Sequence, residues 1–285
     1  MTFAQALALA VLQGVTELFP VSSLGQTILI PALLHWKINR SDPSFLAFVT
    51  VLHLGTALAL VVFYRETWVR IVRAFFASVW RGKMGSDPDE KLAWLLIVGT
   101  VPVGILGVLL KDSVQAFFGS AEIAAVFLMV NAGVMFLGEW LRKRQKMSAG
   151  RSDKPLPALT WGQSAGIGVG QALALLPGIS RSGASMVAGL ICDLNHEDAA
   201  NYSFLLATPV ILAAGLFEIG ELTAPGSHVV LVQAVLGGVV AGVAAYAAVS
   251  FLVRYFRSND LRPFGWYCLV FGALCFSLAR LGVIH

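Results

Sequence analysis

Apolar positions along this chain fall into long unbroken runs, not into the period of an amphipathic helix or a half-buried strand. Six runs reach the length needed to cross a hydrocarbon core: residues 43–64, 92–110, 121–140, 200–219, 229–253 and 263–283. Four further apolar pieces form two broken pairs. Residues 3–15 and 27–34 flank Pro20 and a Val21-Ser22-Ser23 turn, and residues 159–176 and 182–191 flank Pro177-Gly178. Short apolar pieces broken by Pro and Gly predict hairpins that enter and leave the membrane on one side. Around residues 69–80 the pattern becomes amphipathic, as expected of a helix lying along the interface. The expected fold class is therefore all-α: a polytopic membrane protein with re-entrant helix hairpins plus about six full transmembrane helices.

Composition strengthens this. Of 285 residues, 57% are hydrophobic and only 13% charged, with a mean hydropathy of +0.78, outside the range of soluble domains. A net charge of +4 does not point to nucleic acid, because fifteen of the twenty Lys and Arg sit in three short connecting segments. Those segments are 65–91, 142–154 and 254–262, and the positive-inside tendency places them in the cytoplasm. Both termini then lie outside, Lys111-Asp112 begins a short outer loop, and residues 142–158 form the linker between halves of about 1–141 and 159–285 in a single membrane domain. The three cysteines, Cys192, Cys268 and Cys275, lack metal-ligand spacing and read as buried small hydrophobes. Residues 1–15 lack a basic leader and a cleavage site, and read as part of the mature fold.

The candidate chemistry lies in two polar islands. The first, from Gln13 to Gln26, carries Glu17, Ser22, Ser23 and Gly25; the second, from Gln171 to Ala184, repeats its Gln, Ser and Gly at a spacing of 158. Ser44-Phe45-Leu46 and Ser203-Phe204-Leu205 extend the echo at 159. Three crossings separate the islands, so the second copy is expected inverted relative to the first, with the two hairpins meeting near the midplane. Arg181 is the only basic residue between positions 156 and 191. At membrane depth it needs an anion, either Glu17 in a structural ion pair or a phosphate, whose oxygens its planar fork of donors matches. Gly178, Ser180, Ser182 and Gly183 let backbone N–H groups at the next helix start join it. Glu17 is read as a protonated core carboxyl, a general base, or a ligand for a divalent cation, magnesium or calcium, bridging substrate phosphates. Ser22 and Ser23 precede a helix and suit capping. One of them, preferably Ser23, also suits a nucleophile beside a carboxylate.

The pattern Gln13-x-x-x-Glu17, Pro20-Val21-Ser22-Ser23-x-Gly25 and Pro177-Gly178-Ile179-Ser180-Arg181-Ser182-Gly183-Ala184 resembles the bacterial undecaprenyl-diphosphate phosphatase, or bacitracin-resistance, family over essentially the whole chain. His53-Leu54-Gly55-Thr56 belongs to the likeness. The resemblance implies a multi-pass enzyme of the plasma (inner) membrane with two inverted repeats, its site facing the periplasm or cell exterior. Its substrate would be a polyprenyl diphosphate lipid, whose carrier is recycled for peptidoglycan. It assigns Glu17 as acid/base or metal ligand, Ser23 as nucleophile, Ser22 as its neighbour and Arg181 to the diphosphate. Gln13 stands where the family accepts Glu or Gln. A homodimer is a further expectation.

Gln26 is a departure, because the family usually carries His there in an acid/base role. Gln keeps hydrogen bonding but takes up no proton near neutral pH. Either Glu17 carries that step, or another group such as His53, near the middle of the first full span, supplies it, or hydrolysis is slow here. A transporter or flippase of the polyprenyl phosphate carrier is the rival reading, since inverted repeats with broken midplane helices are also transporter architecture.

Overall fold

In a bilayer each backbone N–H and C=O must find its partner within the chain, and the sequence answers with helix almost everywhere. The computed structural model describes residues 1–36, 38, 42–115, 117, 120–149, 152–218 and 228–284. Lys37 and residues 39–41 of the polar stretch after the first island, Arg151 of the linker and Ile219 at the end of one expected span lie outside the described residues. Among the described residues there are eleven α-helices and no strand, save one isolated bridge between Lys154 and Leu194.

Two short helix pairs hold the islands. Helix α1, Phe3–Thr16, leads through a turn to α2, Ser23–Leu33. Helix α7, Trp161–Ala172, leads through a single 3-10 turn to α8, Arg181–Ile191. Their starts repeat at the same spacing of 158, down to the capping chemistry. Thr2 and Gln5 form a capping box on α1, as Thr160 and Gln163 do on α7. The Ser22 side chain accepts from Gly25 N–H on α2, and the Ser180 side chain accepts from Gly183 N–H on α8. The helix starts are capped by the same chemistry in both pairs, while the turns between them differ, the second including a 3-10 turn.

Five helices are long and apolar enough to cross a membrane: α3, Pro43–Phe63; α5, Pro88–Gln115; α6, Ala121–Ala149; α10, His228–Tyr255; and α11, Arg262–Arg280. The sixth expected span coincides with α9, His196–Glu218, whose 23 residues give about 34 Å at 1.5 Å per residue. Its opening turns carry His196, Glu197, Asp198 and Asn201. The chain is an all-α, multi-pass membrane protein.

Two boundaries differ from the hydropathy reading. Lys111 and Asp112 are not a loop but belong to α5, which runs on to Gln115, and Arg142 to Lys146 are not linker but the end of α6. Lys, Arg and Gln are good helix formers, so a helix leaving lipid continues into water where hydropathy has already fallen. The linker proper is anchored by Asp153, which accepts from Arg142 and Lys146. Burial works against the Asp153 charge, but the Lys146 hydrogen bond and the charges of Arg142 and Lys146 outweigh it, holding the carboxyl below the ordinary aspartate range.

Helix α4, Arg65–Trp80, covers the amphipathic stretch, with Trp80 almost wholly exposed and Ile71, Ala74 and Ser78 buried. Around this frame the halves interlock: α1 packs on α10, α7 on α5, α3 on α9 and α10, and α6 on α8 and α11. Small residues allow the closest of these contacts. A Cβ added to Gly55 would lie 2.1 Å from the Gly238 carbonyl oxygen, so α3 and α10 touch backbone to backbone. Gly55→Val is expected to destabilise the protein by about 1–3 kcal/mol through overpacking, read as a lower melting temperature in detergent; an unchanged melt would refute that contact.

Candidate active site

Glu17 follows the last residue of α1 and is buried, with 8% of its surface exposed. Four side chains converge on its carboxylate. Gln13, one turn earlier, donates from Nε2 to Oε2 at 3.0 Å, and Ser23 donates from Oγ to the same oxygen at 2.6 Å. Arg181 donates from Nη2 to Oε1 at 3.0 Å, and His53 Nε2 lies 3.4 Å from Oε2. The two islands, 158 residues apart in sequence, thus meet at a single carboxylate.

Local structure explains how each group arrives. Ser22 is held at φ 63°, ψ 97°, a left-handed conformation that costs a non-glycine residue free energy. That turn reverses the chain after Pro20 and starts α2 at Ser23. Ser22 spends its oxygen on the cap, whereas Ser23, on the first turn, aims its hydroxyl back at Glu17. Across the gap, Gly178 takes φ +111° and lies against Gly25, where an added Cβ would come within 3.1 Å of Gly178 Cα. Glycine at 25 eases this close approach of the two turns, and glycine at 178 suits its positive φ. Arg181 then occupies the first position of α8 as Ser23 does on α2.

His53 sits mid-helix on α3. Its Nδ1 lies 2.9 Å from the Val49 carbonyl oxygen, which can only accept, so Nδ1 carries a proton and Nε2 is turned to Glu17. The ring can therefore exchange a proton with the carboxylate. The Arg181 Nη1 group is buried and has no hydrogen-bond partner among the described residues. A guanidinium with one nitrogen on Glu17 and the other unsatisfied is poised for an anionic ligand, because an unmet buried donor costs free energy.

The remaining expected site residues are placed differently. Ser182 donates to the Phe19 carbonyl at 3.1 Å and Ser180 to the same oxygen at 3.4 Å, so both fasten the second turn to the first. A Cβ on Gly183 would come within 3.3 Å of Pro20 Cβ. Gln26 is fully buried but stands apart from the carboxylate: it donates to the Val21 carbonyl at 3.1 Å and accepts from Tyr267 Oη at 3.1 Å. Sequence reasoning missed Asn131 and Tyr267. Asn131 is the only amide side chain in the run 121–140, and an isolated intramembrane amide is a readable signal.

The donor set argues against a cation cage made by the protein alone. Glu17 is a single carboxylate with both oxygens engaged, and among the described residues no three His, Cys, Asp or Glu side chains cluster to hold a metal ion. Calcium takes six to eight oxygen ligands, whereas magnesium keeps several waters and is held by one or two carboxylates together with substrate phosphates.

Against this geometry the comparisons with known proteins are consistent. The chain is 46% identical to undecaprenyl-diphosphatase 2 of Chromobacterium violaceum over 95% of its own length and 96% of the relative's. It is 44% identical to the undecaprenyl-diphosphatase of Mycobacterium avium, covering 95% of each chain. For the undecaprenyl-diphosphatase of Acidiphilium cryptum the identity is 46%, covering 97% of this chain and 98% of the relative. The family model described as bacitracin resistance protein BacA matches residues 6–274, nearly the whole sequence, and the chain belongs to that family.

Proposed function

We infer that this chain hydrolyses undecaprenyl diphosphate to undecaprenyl phosphate and inorganic phosphate in the bacterial inner membrane. That reaction recycles the lipid carrier of cell-wall synthesis and confers bacitracin resistance. The single observation that carries this reading is the convergence of Ser23, Glu17 and Arg181, with Arg181 Nη1 left free for a phosphate oxygen.

In the proposed mechanism the diphosphate takes up Arg181 through its planar fork, drawing the guanidinium from Glu17. Ser23 Oγ attacks the terminal phosphorus as its proton passes to Glu17, 2.6 Å away. The Oγ–P bond forms, the bridging P–O bond breaks, and the carrier monophosphate leaves with that electron pair. His53, behind the carboxylate, takes the serine proton from Glu17, so the freed carboxylate can accept the proton of the water that attacks the phosphoserine. As the Oγ–P bond breaks, Glu17 returns a proton to Ser23 Oγ, inorganic phosphate departs, and His53 releases its extra proton to water. Positioning and charge stabilisation supply most of the rate in phosphoryl transfer. A magnesium or calcium ion would have to come chiefly on the diphosphate's own oxygens, with Glu17 as its one protein carboxylate, and no step above depends on it. The site is expected to face the periplasm or cell exterior, and the basic segments the cytoplasm.

Phosphate release by the purified protein from a long-chain prenyl diphosphate tests the reading, and two variants test its acid/base part. His53→Ala is expected to lower turnover by about 10²–10³, within the usual worth of a proton-transfer group. Gln26→His is expected to change it by less than about fivefold, since residue 26 faces Tyr267 and not Glu17. A large gain from Gln26→His, or a silent His53→Ala, would overturn this assignment.

A further inference from the structure

Each half of the proposed machinery sits on its own turn, and the direct ionic tie between the turns is the Glu17–Arg181 pair, which the mechanism loosens when substrate enters. Something else must hold the register at that moment. Asn131, on α6, is fully buried between the two turns. Its Nδ2 donates to the Pro20 carbonyl at 3.0 Å, and its Oδ1 accepts from the Ser180 N–H at 3.1 Å. Pro20 lies three residues before Ser23, and Ser180 is the cap immediately before Arg181. One planar amide therefore fixes the backbone under the nucleophile relative to the backbone under the guanidinium.

An amide is the side chain this position calls for. It offers a donor and an acceptor side by side on one rigid plane, whereas Asp lacks the donor and Leu, of similar size, lacks both. Helix α6 supports the bridge, because the Gly178 turn rests on it: a Cβ there would meet the Ala124 carbonyl oxygen at 2.4 Å. We propose that Asn131 is a positioning residue for the hydrolysis, setting the Ser23-to-Arg181 geometry without touching substrate. The proposal rests on the function inferred above. A second fastener runs in parallel from Ser182 to the Phe19 carbonyl, so the two ties should share the load.

The test measures kcat and KM for phosphate release, normalised to folded protein, in wild type, Asn131→Ala, Asn131→Asp, Ser182→Ala and the double variant Asn131→Ala, Ser182→Ala. Wild-type turnover tests the inferred function itself; the variants, read relative to it, test Asn131. Asn131→Ala is expected to lower kcat about 100-fold, the usual effect of a displacement near 1 Å, with KM within about threefold. Asn131→Asp should do the same, since it sets an oxygen against the Pro20 carbonyl. The effects of Asn131→Ala and Ser182→Ala should be non-additive, as expected of residues sharing one job. A folded Asn131→Ala with wild-type kcat overturns the proposal, and so does a loss carried mainly by KM, which would make Asn131 a substrate contact. Should Asn131→Ala not fold, Asn131→Ser, keeping one of the two hydrogen bonds, is read in the same way, and full turnover there is equally fatal.

Discussion

Arg181→Ala is expected to lower kcat/KM for prenyl diphosphate hydrolysis by about 10³ or more, the range found when an arginine that stabilises phosphoryl-transfer charge is removed. The physical reason is the absence of a substitute: Arg181 is the only basic residue in the second island, and its Nη1 is a buried donor with no partner among the described residues. A structural explanation competes, because the same guanidinium neutralises buried Glu17 at 3.0 Å, and stranding one partner of a buried pair costs about 3–5 kcal/mol. A neutral double variant separates the two. In Glu17→Gln, Arg181→Met no charge is stranded, so stability should return toward wild type while activity stays lost. Arg181→Lys should keep the pairing charge but not the fork, recovering part of the stability and little turnover. If the double variant is both stable and active, the pair is architecture and not chemistry.

Much of this arrangement is legible in the sequence, and the part that is not has a physical cause. Spans can be read because a bilayer imposes runs of about twenty apolar residues whatever the fold. Helix ends are harder to see, since α5 and α6 carry on through Lys111-Asp112 and Arg142-Lys143-Arg144, where hydropathy falls but helix propensity does not. Glu17, Ser23 and Arg181 stand out as polar residues in apolar sequence, and their meeting follows from two islands each bent by Pro and Gly. Roles within the islands are less transparent. Ser180 and Ser182 look like ligands by type, yet their hydroxyls go to the Phe19 carbonyl, a partner more than 160 residues away that no local pattern reveals. Gln26 illustrates the limit of resemblance, since its partners are Tyr267 and its own turn's carbonyl. Asn131 is visible as an isolated intramembrane amide, but its backbone partners, Pro20 and Ser180, lie 111 and 49 residues off, and its third partner, Cys268 Sγ, lies 137 residues off.

The two adjacent serines give the sharpest contrast, because they share composition and differ only in direction. Ser23→Ala is expected to reduce turnover by about 10⁴ or more, comparable with losing the nucleophile of other covalent hydrolases, while KM and melting temperature move little. Among the described residues its hydroxyl makes one hydrogen bond, to Glu17. Ser22→Ala should show the opposite profile. Removing the cap that accepts from Gly25 N–H costs about 1 kcal/mol of stability, and the turn at φ 63° loses a restraint, so the melting temperature falls while kcat drops by no more than about tenfold. Rapid quenching of the wild type with substrate labelled in its terminal phosphate should trap label on the protein at Ser23, and the Ser23→Ala protein should bind substrate without acquiring label. Equal losses from the two alanine variants, or label on Ser22, would mean that the turn is arranged differently in the working enzyme and that Glu17 activates the other hydroxyl.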